Sequence, residues 1–314
     1  MRSRVLEYSC RLVAADLAFA RGHEGAGLQE LRKALALART GRFCVFPWIR
    51  RDAFARLLER AIREEIEPGE VRRLVGQAHL LPPSRTVPVA VWPRPVEVLA
   101  LGRFELRKEG RRLEFGRKAQ KKPLELVKVL VSFGAVDVAA ERVADVLWPD
   151  LDGHAARQAL ATTLHRLRQL VECEEAIVLH DGRLSLDPMR CWVDAIAFEE
   201  LLAEAERLQR DEGDTSPRAL AAVEQAVALY RGGLLEGDAD APWALSASER
   251  LRSKFLRHVL RTGEMRESAG APERAIEIYL RGLEVDDLAE EFYLRLMRCY
   301  GRVGRRAEAL AAYE

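Results

Sequence analysis

Prolines at positions 82, 83, 88, 93 and 95 crowd the segment from Leu81 to Pro95. Each lacks an amide donor and fixes φ, so neither a helix nor a central strand can run through such a stretch. Extended chain is what remains, and the segment reads as a linker between separately folded parts. A chain of 314 residues accommodates two or three domains.

Before the linker the pattern is helical. Val5, Leu12, Val13 and Leu17 mark one helix, and Leu28, Leu31, Leu35 and Ala38 a second, with Gly22 to Gly27 as the turn. Helical spacing continues from Arg50 to Glu65 and from Pro68 to His79, where Pro68 suits a first helical turn. Trp48 reads as a packed hinge residue between helical units. The rhythm is that of helical hairpins of the tetratricopeptide (TPR) type.

After the linker the period changes. Val96, Val98 and Ala100, then Phe104 and Leu106, alternate with other residues, and Gly110 closes a turn, which predicts short antiparallel strands over 96–115. A helix over 123–133 follows, stopped by Gly134. A short helix over 139–147 ends at Trp148-Pro149-Asp150. Then comes the most informative stretch, Asp152 to Val171. Ala156, Leu160, Leu164, Leu167 and Val171 form one apolar stripe, and Asp152 is placed to cap the helix start. The opposite face carries His154, Gln158, Thr162, His165 and Gln169, flanked by Arg157, Arg166 and Arg168, with no acid between His154 and Gln169. Such a face suits a DNA major groove, where Arg pairs with guanine, Gln with adenine, and Arg or Thr with phosphate.

Arg-bearing helix faces are more often simply solvated, so the flanks must decide. A short helix, a turn and a longer amphipathic helix follow helix-turn-helix logic. Directly after it, two alternating runs over 176–186 flank Asp181-Gly182, a tight hairpin signal. A hairpin there is a wing, with Arg183 at its tip for phosphate or the minor groove. Arg117, Lys118, Lys121 and Lys122 precede the helix at 123, and free amides beside cations make a phosphate site. From Arg103 to Lys128, ten cations face four acids, but acids elsewhere in 96–187 cancel the excess, so orientation must decide binding.

From Cys191 to the end the chain is helical again. Asp194 reads as the cap of a helix to about 209, followed by helices over 218–230 and 245–265. Gly270, Ala275 and Tyr279 recur as Gly304, Ala309 and Tyr313, a shift of 34, the TPR period. Such units present surfaces for protein contacts. The sequence stops inside the last helix, which reads as a fragment of a longer protein. The expected fold is mainly α with a small β component: a helical TPR-like segment over 1–80, the linker 81–95, a winged helix-turn-helix domain over 96–187, and an all-α TPR-like domain over 188–314.

The totals exclude several classes. Net charge is +1, so any affinity for nucleic acid comes from a local patch. Cys10, Cys44, Cys173, Cys191 and Cys299 show no metal spacing and read as reduced thiols. With no apolar signal core and no membrane-length run, the expected location is the cytoplasm. The six histidines are dispersed, without a nucleophile or carboxylate pair at catalytic spacing, and Glu64-Glu65 and Glu174-Glu175 read as solvated charges. No enzyme, cofactor or metal is expected. The competing reading is a helical-repeat adaptor whose winged helix binds protein.

The order of these elements carries a resemblance. Strands, then Leu-Glu-Leu-Val-Lys-Val-Leu at 124–130, Ala-Asp-Val-Leu-Trp-Pro-Asp at 144–150, Leu-His-Arg-Leu-Arg-Gln-Leu at 164–170 and a wing resemble the OmpR-type winged helix. Trp192-Val193-Asp194, Phe198-Glu199, Leu229-Tyr230-Arg231-Gly232 and the run 293–297 are similar to the bacterial transcriptional activator domain (BTAD). Together they resemble regulators of the SARP type, and the first ninety or so residues resemble the end of the helical-repeat array of MalT-like regulators. The resemblance implies a sequence-specific transcriptional activator that binds promoter DNA at repeated sites, associates with itself there and recruits RNA polymerase. It places Arg166 and Arg168 at positions that contact bases and backbone, and Gln158 and His165 facing the groove. No phosphoacceptor domain precedes the winged helix, and no G-x-x-x-x-G-K-[ST] loop occurs.

Overall fold

A computed structural model describes residues 4–43, 49–83, 92–114, 121–213, 216–238 and 240–312. Trp48, Arg117, Lys118 and Tyr313 lie outside them. The first part is two helix pairs: α1 (Arg4–Ala20) with α2 (Glu24–Gly41), and α3 (Arg51–Arg63) with α4 (Pro68–Gln77). Gly22 turns the first pair with φ +75°, a conformation costly for residues with a Cβ. Tyr8, Leu12, Leu31, Leu35, Phe54, Leu58 and Leu74 form a core of their own.

That core also takes in Trp92, 1% exposed, from beyond most of the prolines. Arg94 next to it is buried and donates to the carbonyls of Trp92 at 2.6 Å and Pro188 at 2.8 Å. Burial pulls the Arg94 pKa down to about 10. The far end of the proline segment is therefore clasped between the first part and the second.

The second part opens with β1 (Val96–Leu99), β2 (Glu105–Lys108) and β3 (Arg111–Arg112), an antiparallel run in which Val96 faces Lys108 and Leu99 faces Glu105. Then come α5 (Lys121–Ser132), β4 (Val138–Ala139), α6 (Ala140–Leu147), α7 (Gly153–Val171), β5 (Ile177–His180) and β6 (Arg183–Leu186). The hairpin turns at Asp181 and Gly182, both with positive φ, as its two-residue loop requires. β4 adds to the hairpin, giving the order β4-β6-β5. β7 (Cys191–Val193) returns to lie parallel to β1, completing a sheet of order β3-β2-β1-β7.

The third part is α8 (Asp194–Glu212), α9 (Pro217–Leu229), α10 (Pro242–Ser268), α11 (Pro272–Leu283), α12 (Glu290–Arg302) and α13 (Arg306–Ala311). Gly270 and Gly304, one repeat apart, both adopt positive φ at the turns after α10 and α12. One continuous apolar core runs from β1 through α7 into these helices.

The joint between second and third parts differs from expectation at Asp194. Its side chain is not a helix cap. It lies 1% exposed and accepts from the amides of Ala100 and Leu101 at 2.7 and 3.0 Å, with Arg231 at 3.3 Å. Burial raises its pKa, while those two amides and Arg231 pull the other way. The strand edge left free after β1 needs acceptors for its amides, and a carboxylate supplies two at once. The Gly232-Gly233 break serves the same seam. Gly102 donates to the Gly233 carbonyl at 2.8 Å, and Leu235 donates to that of Ala100 at 2.7 Å. A Cβ on Gly232 would come within 3.2 Å of the Gly102 Cα.

Candidate nucleic-acid interface

α7 is set in place from both ends and from beneath. Asp152 Oδ1 accepts from the amides of His154 and Ala155 at 2.9 and 2.8 Å, satisfying two of the free donors of the first turn. Ala156, Leu160, Leu164, Leu167 and Val171 are all buried, against α5 and α6. A five-residue stripe held this way leaves the helix no freedom to roll, so its other side is fixed in direction.

That side is open. His154, Arg157, Gln158, Thr162, His165, Arg166 and Gln169 are exposed, and His165 and Arg166 have no ion-pair partner among the described residues. Thr162 donates its hydroxyl proton to the Gln158 carbonyl at 3.0 Å, which leaves the oxygen as an acceptor. Arg157 stands 3.4 Å from Glu141 on α6, with both side chains largely exposed.

Arg168 is elsewhere. Its Nε and Nη2 donate to the carbonyl of Ile177 at 3.0 and 2.8 Å, and the residue is half-buried. It ties α7 to the first wing strand. Position 168 lies four after Leu164 and eight after Leu160, in the row of the buried stripe, and that spacing was the available signal.

The other expected contacts divide in the same way. Lys121 is 84% exposed, with Glu125 at 3.7 Å. Lys122 instead donates to the Leu147 carbonyl at 2.8 Å, pairs with Glu125 at 2.9 Å and lies 5.7 Å from the Trp148 ring centre. It caps the end of α6. Arg183 stays exposed beside the wing turn but donates to the Asp137 carbonyl at 2.9 Å, with the Asp137 carboxylate at 3.3 Å. The wing tip itself is mixed in charge, since His180 and Asp181 meet at 3.2 Å.

Little here fits chemistry of the catalytic kind. Among the described residues no group of three or more His, Cys, Asp or Glu is gathered to hold a metal. Cys191 is buried and its thiol pKa is pushed up by desolvation, the opposite of a reactive cysteine. No described helix is long and apolar enough to cross a membrane.

The arrangement defines a winged helix-turn-helix unit fused through one core to a helical-repeat domain. Residues 193–314 match the bacterial transcriptional activator domain. That family consists of transcription regulators. Among solved structures the chain is similar to Mycobacterium tuberculosis EmbR, determined in complex with a low-affinity phosphopeptide. The TM-score is 0.54 at 17% identity, a likeness of fold, covering 70% of this chain and 58% of that one. The chain thus spans little more than half the length of that protein. No curated protein sequence matches it.

Proposed function

We propose that the protein is a sequence-specific DNA-binding transcriptional activator of the SARP type that lays α7 in the major groove of promoter DNA. In this reading Gln158, His165 and Arg166 face base edges, Thr162, Arg157 and Lys121 lie near phosphates, and Arg183 meets the flanking backbone beside the wing. Arg117 and Lys118 belong to the same phosphate-facing run. The units 1–80, 96–187 and 188–314 divide the work: the first as the end of a helical-repeat array like that of MalT-like regulators, the second as reader, the third as the surface for RNA polymerase and for a neighbouring copy on repeated sites. The protein acts in the cytoplasm, without a metal or cofactor.

One observation supports this most: a helix buried along one side presents a fixed, solvent-open face with cations and amides and no acid between His154 and Gln169. Selection of bound duplexes from a random pool, followed by a salt titration on the best one, tests it. Enrichment of a defined motif, with log affinity falling linearly in log salt, is the expected result. Recovery of no motif, or affinity indifferent to salt, overturns it.

A further inference from the structure

Between the winged helix and the activator domain lies a cleft of about 840 Å³, walled by the end of α5, the outer face of α6 and the first turns of α10. That size falls within the roughly 300–1,000 Å³ typical of small-molecule sites. Phe133, Val146 and Trp243 make its apolar walls, each half-buried. Ser132 lines it at 8% exposure, and among the described residues its hydroxyl, itself shielded from solvent, meets no hydrogen-bond partner. A buried serine in a helix ordinarily donates to the carbonyl four residues back.

The rim carries opposite charges that do not meet. Arg142 and Asp145 are one turn apart on α6, both exposed and both lining the cleft. Among the described residues neither forms an ion pair, with each other or with anything else. The Arg142 guanidinium instead sits over the Phe133 ring, 3.9 Å from its centre. Arg250, across the cleft, is already paired with Glu199. The unspent groups are therefore one cation and one anion beside an apolar wall. A simple anion would meet Asp145 at a cost, and a simple cation would meet Arg142.

We infer that this cleft binds a small zwitterion of the amino-acid class, with an apolar or aromatic body, and that the reader senses it. The carboxylate goes to Arg142, the ammonium to Asp145, and the body lies against Trp243 and Val146 above Ser132. The coupling half rests on the proposed DNA-binding role. α6 lines the cleft with one side and braces α7 with another, and Glu141, beside Arg142, pairs with Arg157 on the reading helix. A ligand bridging α6 to α10 thus fixes the support under the DNA-facing surface against the activator domain.

Calorimetric titration of the full chain with L-phenylalanine and L-leucine, without DNA, tests the site. Saturable binding of at least one, at one molecule per chain, is expected. Arg142→Gln and Asp145→Asn should each weaken it roughly tenfold, the loss of one charge-assisted contact. Both residues are exposed, so an unchanged melting temperature separates lost binding from lost fold. The analogue 3-phenylpropionate, which lacks the ammonium, should bind more weakly than L-phenylalanine in the parent and gain affinity, not lose it, on Asp145→Asn. No saturable heat with either amino acid, or equal affinity in parent and both variants, overturns the site. Gel shifts with and without L-phenylalanine then test the coupling. A midpoint that moves in the parent and stays put in Asp145→Asn supports it, and a fixed midpoint in both overturns it. Failure to bind any DNA would sink the proposed function and leave the calorimetric result standing.

Discussion

The outer face of α7 and the ring of contacts around it are built from the same residue types and put them to opposite uses. On the face, Gln158, His165 and Arg166 stand open. Around it, Lys122, Arg168 and Arg183 each donate to a backbone carbonyl, of Leu147, Ile177 and Asp137 respectively. These three bonds join α5 to α6, α7 to β5, and β6 to the loop before β4. Lys122 and Arg168, which hold the reader, are thus distinct from the cations available to be read with, while Arg183, held but still 54% exposed, stands between the two. A reading surface depends on this division, because a contact misplaced by an ångström loses much of its selectivity, and supporting groups must be locked for exposed ones to be positioned.

The largest effect should come from the holding set, at Asp194. Replacing Asp194 by Ala leaves the Ala100 and Leu101 amides and Arg231 without their acceptor inside the joint. Arg231 can turn to solvent, but each buried amide left without an acceptor costs about 1–3 kcal/mol. Urea unfolding of the Asp194→Ala protein should show that loss, while the molecules that remain folded keep their affinity for DNA. A midpoint close to that of the parent would mean that the joint does not depend on this carboxylate.

Next come Arg166 and Arg168, two residues apart and on opposite sides of the division. Arg166→Ala should cost about 1–3 kcal/mol of binding on a cognate duplex if it makes a bidentate base contact, with the melting temperature unchanged. Arg168→Ala should do the reverse. Two hydrogen bonds from a charged donor to the Ile177 carbonyl disappear, about 1.5–3 kcal/mol of stability. Any loss of DNA affinity should then be the same for cognate and unrelated duplexes. Swapped outcomes, with stability lost at 166 and selectivity at 168, would erase the comparison.

The same contrast separates what could be read in the sequence from what could not. The α7 stripe, its Asp152 cap and the Asp181-Gly182 turn are local, each set by residues a few positions apart, and all three were legible. So was the mainly helical fold with small sheets. β7 was not, because three residues carry no alternation and its partner β1 lies nearly a hundred residues earlier. Asp194 looked like a cap because it starts a helix; its true partners are amides of another segment. The partners of Lys122 and Arg168 were missed for a related reason. Their acceptors are backbone carbonyls, which any residue type supplies, so no side-chain pattern announces them. Trp92 was hidden by the prolines around it, which speak for extended chain and say nothing of where an aromatic in that chain comes to rest.

Lys121 and Lys122 offer a finer version of the test, since they are adjacent and differ only in what holds them. Lys121→Ala should flatten the dependence of log affinity on log salt by about 0.9, the value for one phosphate contact on duplex DNA. Lys122→Ala should leave that slope nearly unchanged and lower stability instead, through the freed Leu147 carbonyl. Equal slopes for both variants and the parent would remove the α5 start from the interface.

The smallest effect is expected from an acid, and it carries the opposite sign. Glu141 is 79% exposed and stands beside Arg157, whose side chain is 64% exposed, on the rim of the reading face. In water such a pair is worth less than about 1 kcal/mol to the fold, so its removal should hardly move the melting temperature. A phosphate arriving at Arg157, however, meets the Glu141 charge as well. Glu141→Gln should therefore tighten binding to all duplexes alike, by a few-fold at low salt, and the gain should fade as ionic strength rises and the screening length contracts below the spacing of the charges. A gain confined to one sequence would instead assign Arg157 to base reading, and a loss would mean that Glu141 holds Arg157 in its binding position, which would move this arginine from the open set to the held one.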